Sequence, residues 1–342
     1  MVLSSLDYID YHVSCEPFRL LTEPMTDLRG DTQREVREDF RKRYDAIRRR
    51  VLREPRGHSD QYGGILTPAI HADSLFGVLF LYSTGMSSLC GHGAIAIARA
   101  AVDLGYLERR EGYQSFRFDA PVGQVRAFVE IENGEVVRSG FDNIESFFIA
   151  ENVPITVPGY GRIGMTVGYG GAFMAFVNEQ SLGIDILEEP LEDLIRAGMA
   201  CKDAFLAQTN FIHPVSGLQS AREGICLLIE KDPVTRGDTV LHRNFTVFGN
   251  HQYDRSPTGT GSSALAAILC RRGILKPGMR LENRGRADIP FHVEIKPVTG
   301  GIAEDSVIPT VSGRAYMIAR GTSLLEAGDP LPEGYSERQD ES

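Results

Sequence analysis

Two glycine-rich segments, far apart in the chain but built alike, carry the residues best suited to chemistry. Cys90-Gly91-His92-Gly93 leads into an apolar stretch, Ala94 to Leu104, that stops at Gly105. Thr258-Gly259-Thr260-Gly261 leads into Ala264 to Arg272, which stops at Gly273. The span from leading residue to stop glycine is the same in both (105 − 90 = 15; 273 − 258 = 15). Glycine lets a backbone approach a ligand closely, and a helix start offers unpaired N–H groups and a partial positive charge to an anion. Two such starts suit one small carboxylate, with Cys90 and Thr258 on either side of it. That arrangement points to chemistry at the carbon next to the carboxylate.

Each residue also has a plainer meaning. Cys90 reads either as a buried residue behind a glycine turn or as a base, because a helix start favours thiolate over thiol. The position among glycines favours the base. Asp254, four residues before the second turn, either caps that turn or pairs with a substrate ammonium. Thr258, on sequence alone, is an ordinary helix cap. Gly259 to Ala264 matches a dinucleotide fingerprint, with Glu282 eighteen residues beyond Ala264 (282 − 264 = 18). Asp254-Arg255-Ser256-Pro257 interrupts the strand that such a fingerprint needs, so this match is set aside. The eight histidines are scattered without a zinc spacing, and neither a G-x-S-x-G elbow nor a phosphate loop is present.

The elements that must position these residues form two similar series. Asp31 or Thr32 caps a long amphipathic helix carrying Val36, Phe40, Tyr44, Ile47 and Val51 at steps of three or four, ended by Pro55 and Gly57. A strand broken at Glu16-Pro17 precedes it, and Phe76 to Tyr82 is a buried strand leading to the Cys90 turn. Val125 to Ile131 alternates and returns through an Asn133-Gly134 hairpin. Residues 151–164, with two prolines and three glycines, read as the crossover between domains. A second series follows: a strand near Phe173, a helix from Leu191 to Phe205, strands near Ile225 and Phe245, the Thr258 turn, and strands near Val293 and Ala315. Patterning alone thus predicts a duplicated α/β unit, each copy wrapping strands around one apolar helix.

The chain has 342 residues, 42% hydrophobic and 24% charged, enough for two domains with real cores. A net charge of −10 argues against broad binding to nucleic acid or anionic membranes. The basic run from Arg41 to Arg56 is interspersed with acids and reads as a solvated helix face. The first thirteen residues lack a signal-peptide pattern, and no apolar run is long enough to span a bilayer. Five cysteines without a C-x-x-C pair indicate thiols in a reducing compartment, so a cytoplasmic protein is expected. Cys201, Cys226 and Cys270 sit in apolar periodic segments and read as core fillers.

The two segments, Leu89-Cys90-Gly91-His92-Gly93 and Asp254 to Gly261, closely resemble the proline racemase family. Further matches include Asp10-Tyr11-His12, Glu16-Pro17-Phe18-Arg19, Glu54-Pro55-Arg56-Gly57-His58, Gly170-Gly171-Ala172-Phe173 and Ile308-Pro309. The resemblance implies a diaminopimelate-epimerase-like α/β (α+β) fold. It has two pseudo-symmetric domains, each with strands around a central helix, and an active site in the cleft between them. Expected boundaries are 1–160 for the first domain, with strands near 310–330 returning to it, 161–310 for the second, and a flexible tail over 331–342. Carboxylate-binding amides carry over onto Gly91, His92, Gly259 and Thr260. The amine contacts carry over onto Asp254 and the His92 side chain, and the apolar ring contact onto Phe248. Cys15 stands where a glycine is usual before Glu-Pro, and Ser262 where a threonine is usual.

Proline racemases carry cysteine at both helix starts, whereas this chain has Cys90 and Thr258. Within the family that pairing is similar to the trans-3-hydroxy-L-proline dehydratases. It implies a hydro-lyase that needs neither metal nor organic cofactor, acts on a small amino acid and forms a homodimer. Cys90 would be the proton acceptor and Thr258 the residue opposite it. The alternatives are a proline racemase or hydroxyproline 2-epimerase, and a non-catalytic amino-acid-binding protein.

Overall fold

The computed structural model describes residues 5–340, which divide into two units. The first runs to Phe141 and resumes at Gly313, and the second spans Asp142–Ser312. In chain order the first unit holds β1 (Ser5–Val13), β2 (Glu16–Leu21), α1 (Gln33–Leu52), β3 (Tyr62–Thr67) and β4 (Gly77–Tyr82). It continues with β5 (Gly85–Ser87), α2 (Gly91–Asp103), β6 (Gly112–Ala120), β7 (Gly123–Glu132) and β8 (Glu135–Asp142). The second unit begins with β9 (Phe147–Val157), β10 (Gly161–Tyr169), β11 (Phe173–Asn178), α3 (Glu179–Leu182) and α4 (Leu191–Gln208). Then come α5 (Ser220–Glu223), β12 (Cys226–Glu230), β13 (Val234–Arg236), β14 (Thr239–Phe248), β15 (Gln252–Asp254) and α6 (Gly259–Arg271). It closes with β16 (Arg280–Arg284), β17 (Pro290–Pro297) and β18 (Val307–Gly313), after which β19 (Ala315–Leu324) pairs antiparallel with β1 of the first unit.

Both units follow one plan. In the first, β2 and β3 run parallel across the α1 crossover, and β4 runs parallel to β6 across α2. In the second, β11 and β12 run parallel across the α3–α5 crossover, and β14 runs parallel to β16 across α6. The remaining neighbours, β1–β2, β3–β4 and β6–β7 against β10–β11, β12–β14 and β16–β17, are antiparallel. The helix within each wrap is α2 or α6, apolar on nearly every side, as a helix enclosed by its sheet must be. Each ends at a glycine in the left-handed region, Gly105 (φ 77°) or Gly273 (φ 69°), where a side chain would be strained.

Local chemistry sets the outer helices. Thr32 and Glu35 form a reciprocal capping box at the start of α1, and Val36, Phe40, Ile47 and Val51 turn into a core with Leu79 and Leu81 of β4. Helix α4 buries Leu194, Ala197, Cys201 and Phe205 against β9, β12 and β14. Burial of Cys201 in that core pushes its thiol up to about 12, as suits a filler without chemistry.

Two expectations need correction. Residues 151–164 are not a crossover: they form the β9–β10 hairpin, turned at Gly159 (φ 83°) and Gly161 (φ 78°). Proline and glycine mark a turn as readily as a linker, and composition alone does not separate the two. The tail is not frayed over its described part, which ends at Asp340. Glu333 pairs with Arg49 at 2.7 Å, Arg338 with Asp60 at 2.6 Å, and Asp340 with Arg48 at 2.9 Å and with Arg53. An acidic segment thus settles on the basic face of α1, which is therefore not simply solvated. Residues 341–342 lie outside the described residues.

Candidate active site

Cys90 is the N-cap of α2, in extended conformation (φ −127°, ψ 119°), and the first intrahelical bond runs from Ala94 N–H to its carbonyl at 2.8 Å. The amides of Gly91 and His92 precede that bond. Gly93 N–H donates to Cys90 Sγ at 3.3 Å, so a hydrogen-bond donor faces the sulfur directly. The His92 ring lies beside the same sulfur, with Nδ1 at 3.3 Å and Nε2 at 3.5 Å. Edge-on contacts to Phe18 (6.0 Å between centroids) and Tyr62 (5.0 Å) hold that ring. Tyr62 is fixed in turn by donation from its hydroxyl to Ser87 Oγ at 2.7 Å. Gly93 leaves no space for a side chain: a Cβ there would lie 2.6 Å from Phe18 and 3.0 Å from Cys90 Sγ.

At the second helix start the backbone differs. Thr258 has φ 63° and ψ 104°, a rare conformation for a β-branched residue and one that concentrates at functional sites. It makes no side-chain cap, which corrects the plain reading of the sequence. Its hydroxyl instead lies 2.8 Å from Asp254 Oδ2 and 2.8 Å from Thr246 Oγ1. Asp254 accepts from Ser256 N–H at 2.8 Å through its other oxygen, so it shapes the turn as well as facing Thr258. The first bond of α6 runs from Ser262 N–H to Thr258 O at 2.7 Å, leaving the Gly259 and Thr260 amides ahead of it. Phe248 ends β14 opposite Gln252. Glu282, which completed the dinucleotide pattern, is ion-paired with Arg284 at 2.5 Å on β16.

A layer of residues under this turn was not singled out from sequence. His242, Asn244 and Thr246 alternate along β14 and are all buried, a polar stripe on a strand face that should be apolar. Asn283 Nδ2 donates to Pro257 O at 3.2 Å and to Ser262 Oγ at 2.9 Å, which turns its oxygen toward His242 Nδ1 at 2.8 Å. His242 Nε2 lies 3.0 Å from Glu230 Oε2. The signal was present in the period-2 run of polar types between Val240 and Phe248 on one strand face, since buried polar groups persist only where they are hydrogen-bonded.

Of the expected residues, Cys90, Gly91, His92, Asp254, Thr258, Gly259 and Thr260 all lie in or just before a helix start. In the first unit they lie at the helix start that carries the Cys90 thiol, and in the second at the one that carries the Thr258 hydroxyl. A thiolate with a facing N–H donor is a competent base for a carbon acid, whereas a threonine hydroxyl is not one near neutral pH.

Comparison with known proteins gives the same grouping. The sequence model of the family described as proline racemase matches residues 8–336. A trans-3-hydroxy-L-proline dehydratase of Homo sapiens is 35% identical, covering 96% of this chain and 94% of that protein. One from Colwellia psychrerythraea is 33% identical, covering 97% and 92%. The solved structure of a probable proline racemase from Agrobacterium radiobacter superposes with a TM-score of 0.86 at 25% identity, over 97% of this chain and 96% of that one. By motif, fold and extent of match, the chain belongs to the proline racemase family.

Proposed function

We propose that this protein is a hydro-lyase that converts trans-3-hydroxy-L-proline to Δ1-pyrroline-2-carboxylate and water. The observation that carries the reading is the unequal pair of helix starts, with thiol Cys90 at one and hydroxyl Thr258 at the other. Racemisation needs an acid and a base that exchange roles, and Thr258 is no base. Dehydration needs one α-proton removed and one hydroxide expelled. In trans-3-hydroxy-L-proline the α-hydrogen and the 3-hydroxyl share a ring face. Cys90 thiolate takes the α-proton, the electron pair forms the C2–C3 double bond, and the C3–O bond breaks. The Cys90 thiol returns its proton to the departing hydroxide as water. The cyclic enamine then tautomerises to the pyrroline.

Gly91, His92, Gly259 and Thr260 supply backbone N–H groups for the substrate carboxylate, where negative charge grows as the proton leaves. One such donor contributes roughly 3 kcal/mol to a transition state. Asp254 and the His92 ring receive the ammonium, and Phe248 packs on the ring. No step assigned to these residues calls for a metal or organic cofactor. The thiol state of all five cysteines supports a cytoplasmic setting, and family membership supports a homodimer. No helix among the described residues is long and apolar enough to cross a membrane.

Incubating the pure protein with trans-3-hydroxy-L-proline tests the reading, with o-aminobenzaldehyde to trap the pyrroline and L-proline in a parallel polarimeter cell. Pyrroline from the first and constant rotation in the second are expected. Decay of proline rotation without pyrroline would mark a racemase instead, and binding without either would mark a non-catalytic protein.

A further inference from the structure

Hydrogen-bond accounting around Thr258 fixes what its hydroxyl can offer a ligand. Four side chains of the second unit, all buried, stand in a row: Asn244, Thr246, Thr258 and Asp254. Asn244 Nδ2 lies 2.9 Å from Thr246 Oγ1, which lies 2.8 Å from Thr258 Oγ1, which lies 2.8 Å from Asp254 Oδ2. An ionised carboxylate only accepts, and each threonine hydroxyl has one hydrogen. The contact with Asp254 can be bridged only by the Thr258 hydrogen. The Thr246–Thr258 contact must then take the Thr246 hydrogen. Thr246 oxygen is left to accept, and the Asn244 amide nitrogen is what faces it. The chain ends there, since Asn244 Oδ1 is buried with no hydrogen-bond partner among the described residues.

We infer that Asn244 and Thr246 are positioning residues that hold the Thr258 hydroxyl with its hydrogen on Asp254, so that Thr258 meets a ligand only as a hydrogen-bond acceptor. This rests on the reading that Thr258 belongs to the substrate site. It follows that Thr258 delivers no proton to the departing 3-hydroxyl, a task left to the Cys90 thiol. Its remaining lone pair stands beside the Asp254 carboxylate, and the two oxygens together suit an ammonium N–H. Thr246, the cross-strand neighbour of Asp254, fixes the direction of that lone pair by holding the hydroxyl through its own hydrogen.

Neutron diffraction from crystals of the full chain exchanged into D2O reads the polarity directly and without reference to activity. The Thr258 deuteron is expected on the line to Asp254 Oδ2 and the Thr246 deuteron on the line to Thr258 Oγ1. A Thr258 deuteron aimed at Thr246, or at neither partner, would overturn the inference. Kinetics with trans-3-hydroxy-L-proline then test the positioning role. Thr246→Val should raise KM about tenfold with kcat changed less, the order expected for losing one charge-linked hydrogen bond. Thr246→Ser, which keeps the hydroxyl, should restore KM. Equal behaviour of the valine and serine variants would show that the hydroxyl positions nothing. Should the unaltered protein not turn over this substrate, the proposed reaction fails, while the deuteron positions still decide the polarity.

Discussion

Gly93→Ala separates the geometry of the Cys90 helix start from its stability. An alanine Cβ there would sit 2.6 Å from Phe18 Cε2, 2.9 Å from Phe80 Cε1 and 3.0 Å from Cys90 Sγ, where ordinary contact begins at 3.4 Å. Both rings are fully buried and cannot swing into solvent, so the helix start must move by up to 3.4 − 2.6 = 0.8 Å. Overpacking of this kind costs about 1–3 kcal/mol, and replacing a helical glycine by alanine returns about 1 kcal/mol. The net loss of stability is thus roughly 0–2 kcal/mol, small against the whole domain. Displacing a reacting group by ~1 Å, however, costs on the order of 100-fold in rate. Pyrroline formation from trans-3-hydroxy-L-proline and thermal melting should therefore diverge, with kcat/KM collapsing while the melting temperature moves by a few degrees. Near-native turnover in a folded Gly93→Ala protein would refute the claim that the sulfur needs this position.

Two further perturbations follow from other parts of the structure. Thr258→Cys restores a thiol at the second helix start and should bring exchange at the α-carbon of proline. NMR in D2O would find deuterium in both enantiomers, and its absence from one of them would contradict the two-base requirement for racemisation. Asp119 is buried, and although that burial opposes its charge, hydrogen bonds from the backbone and ring of His71, from Ser74 and from Ile70 N–H hold its carboxyl below the ordinary 3.8. A depressed carboxyl stabilises the fold above its unfolded value and loses that contribution as pH falls through the folded one. Asp119→Asn should cost about 1–3 kcal/mol in urea unfolding at pH 7, with the gap to the parent narrowing below about pH 4. A gap independent of pH would rule out the charged staple.

Much of this fold could be read from side-chain periodicity. The α1 stripe, the buried run of β4, the Asn133-Gly134 turn and the two apolar helices with their stop glycines each announce themselves over short distances. The β9–β10 hairpin did not, because Pro154 and Pro158 fall inside and just after a strand that pattern reading treats as broken. The ordered tail did not either: an acidic segment is held by arginines nearly three hundred residues earlier, and such pairing leaves no local mark. At the site, Cys90 stood out because a cysteine is unusual beside a glycine turn, whereas Asp254 read equally as a cap, and it does accept from Ser256 N–H. By residue type alone Thr258 read as an ordinary cap, whereas its φ of 63° and its hydroxyl partners set it apart. Cys15 shows the converse: its φ of 72° lies in the region that favours glycine, the residue the family resemblance leads one to expect there.

In the proposed reaction a single sulfur removes the substrate α-proton, and Cys90→Ser takes that sulfur away. Serine keeps the size and the N-cap hydrogen bond but is far too weak an acid to supply a base near neutral pH. Turnover of trans-3-hydroxy-L-proline by the folded variant should fall by about 10²–10⁴-fold. A Cys90→Ser protein that forms pyrroline at close to the parent rate would show that another group is the base.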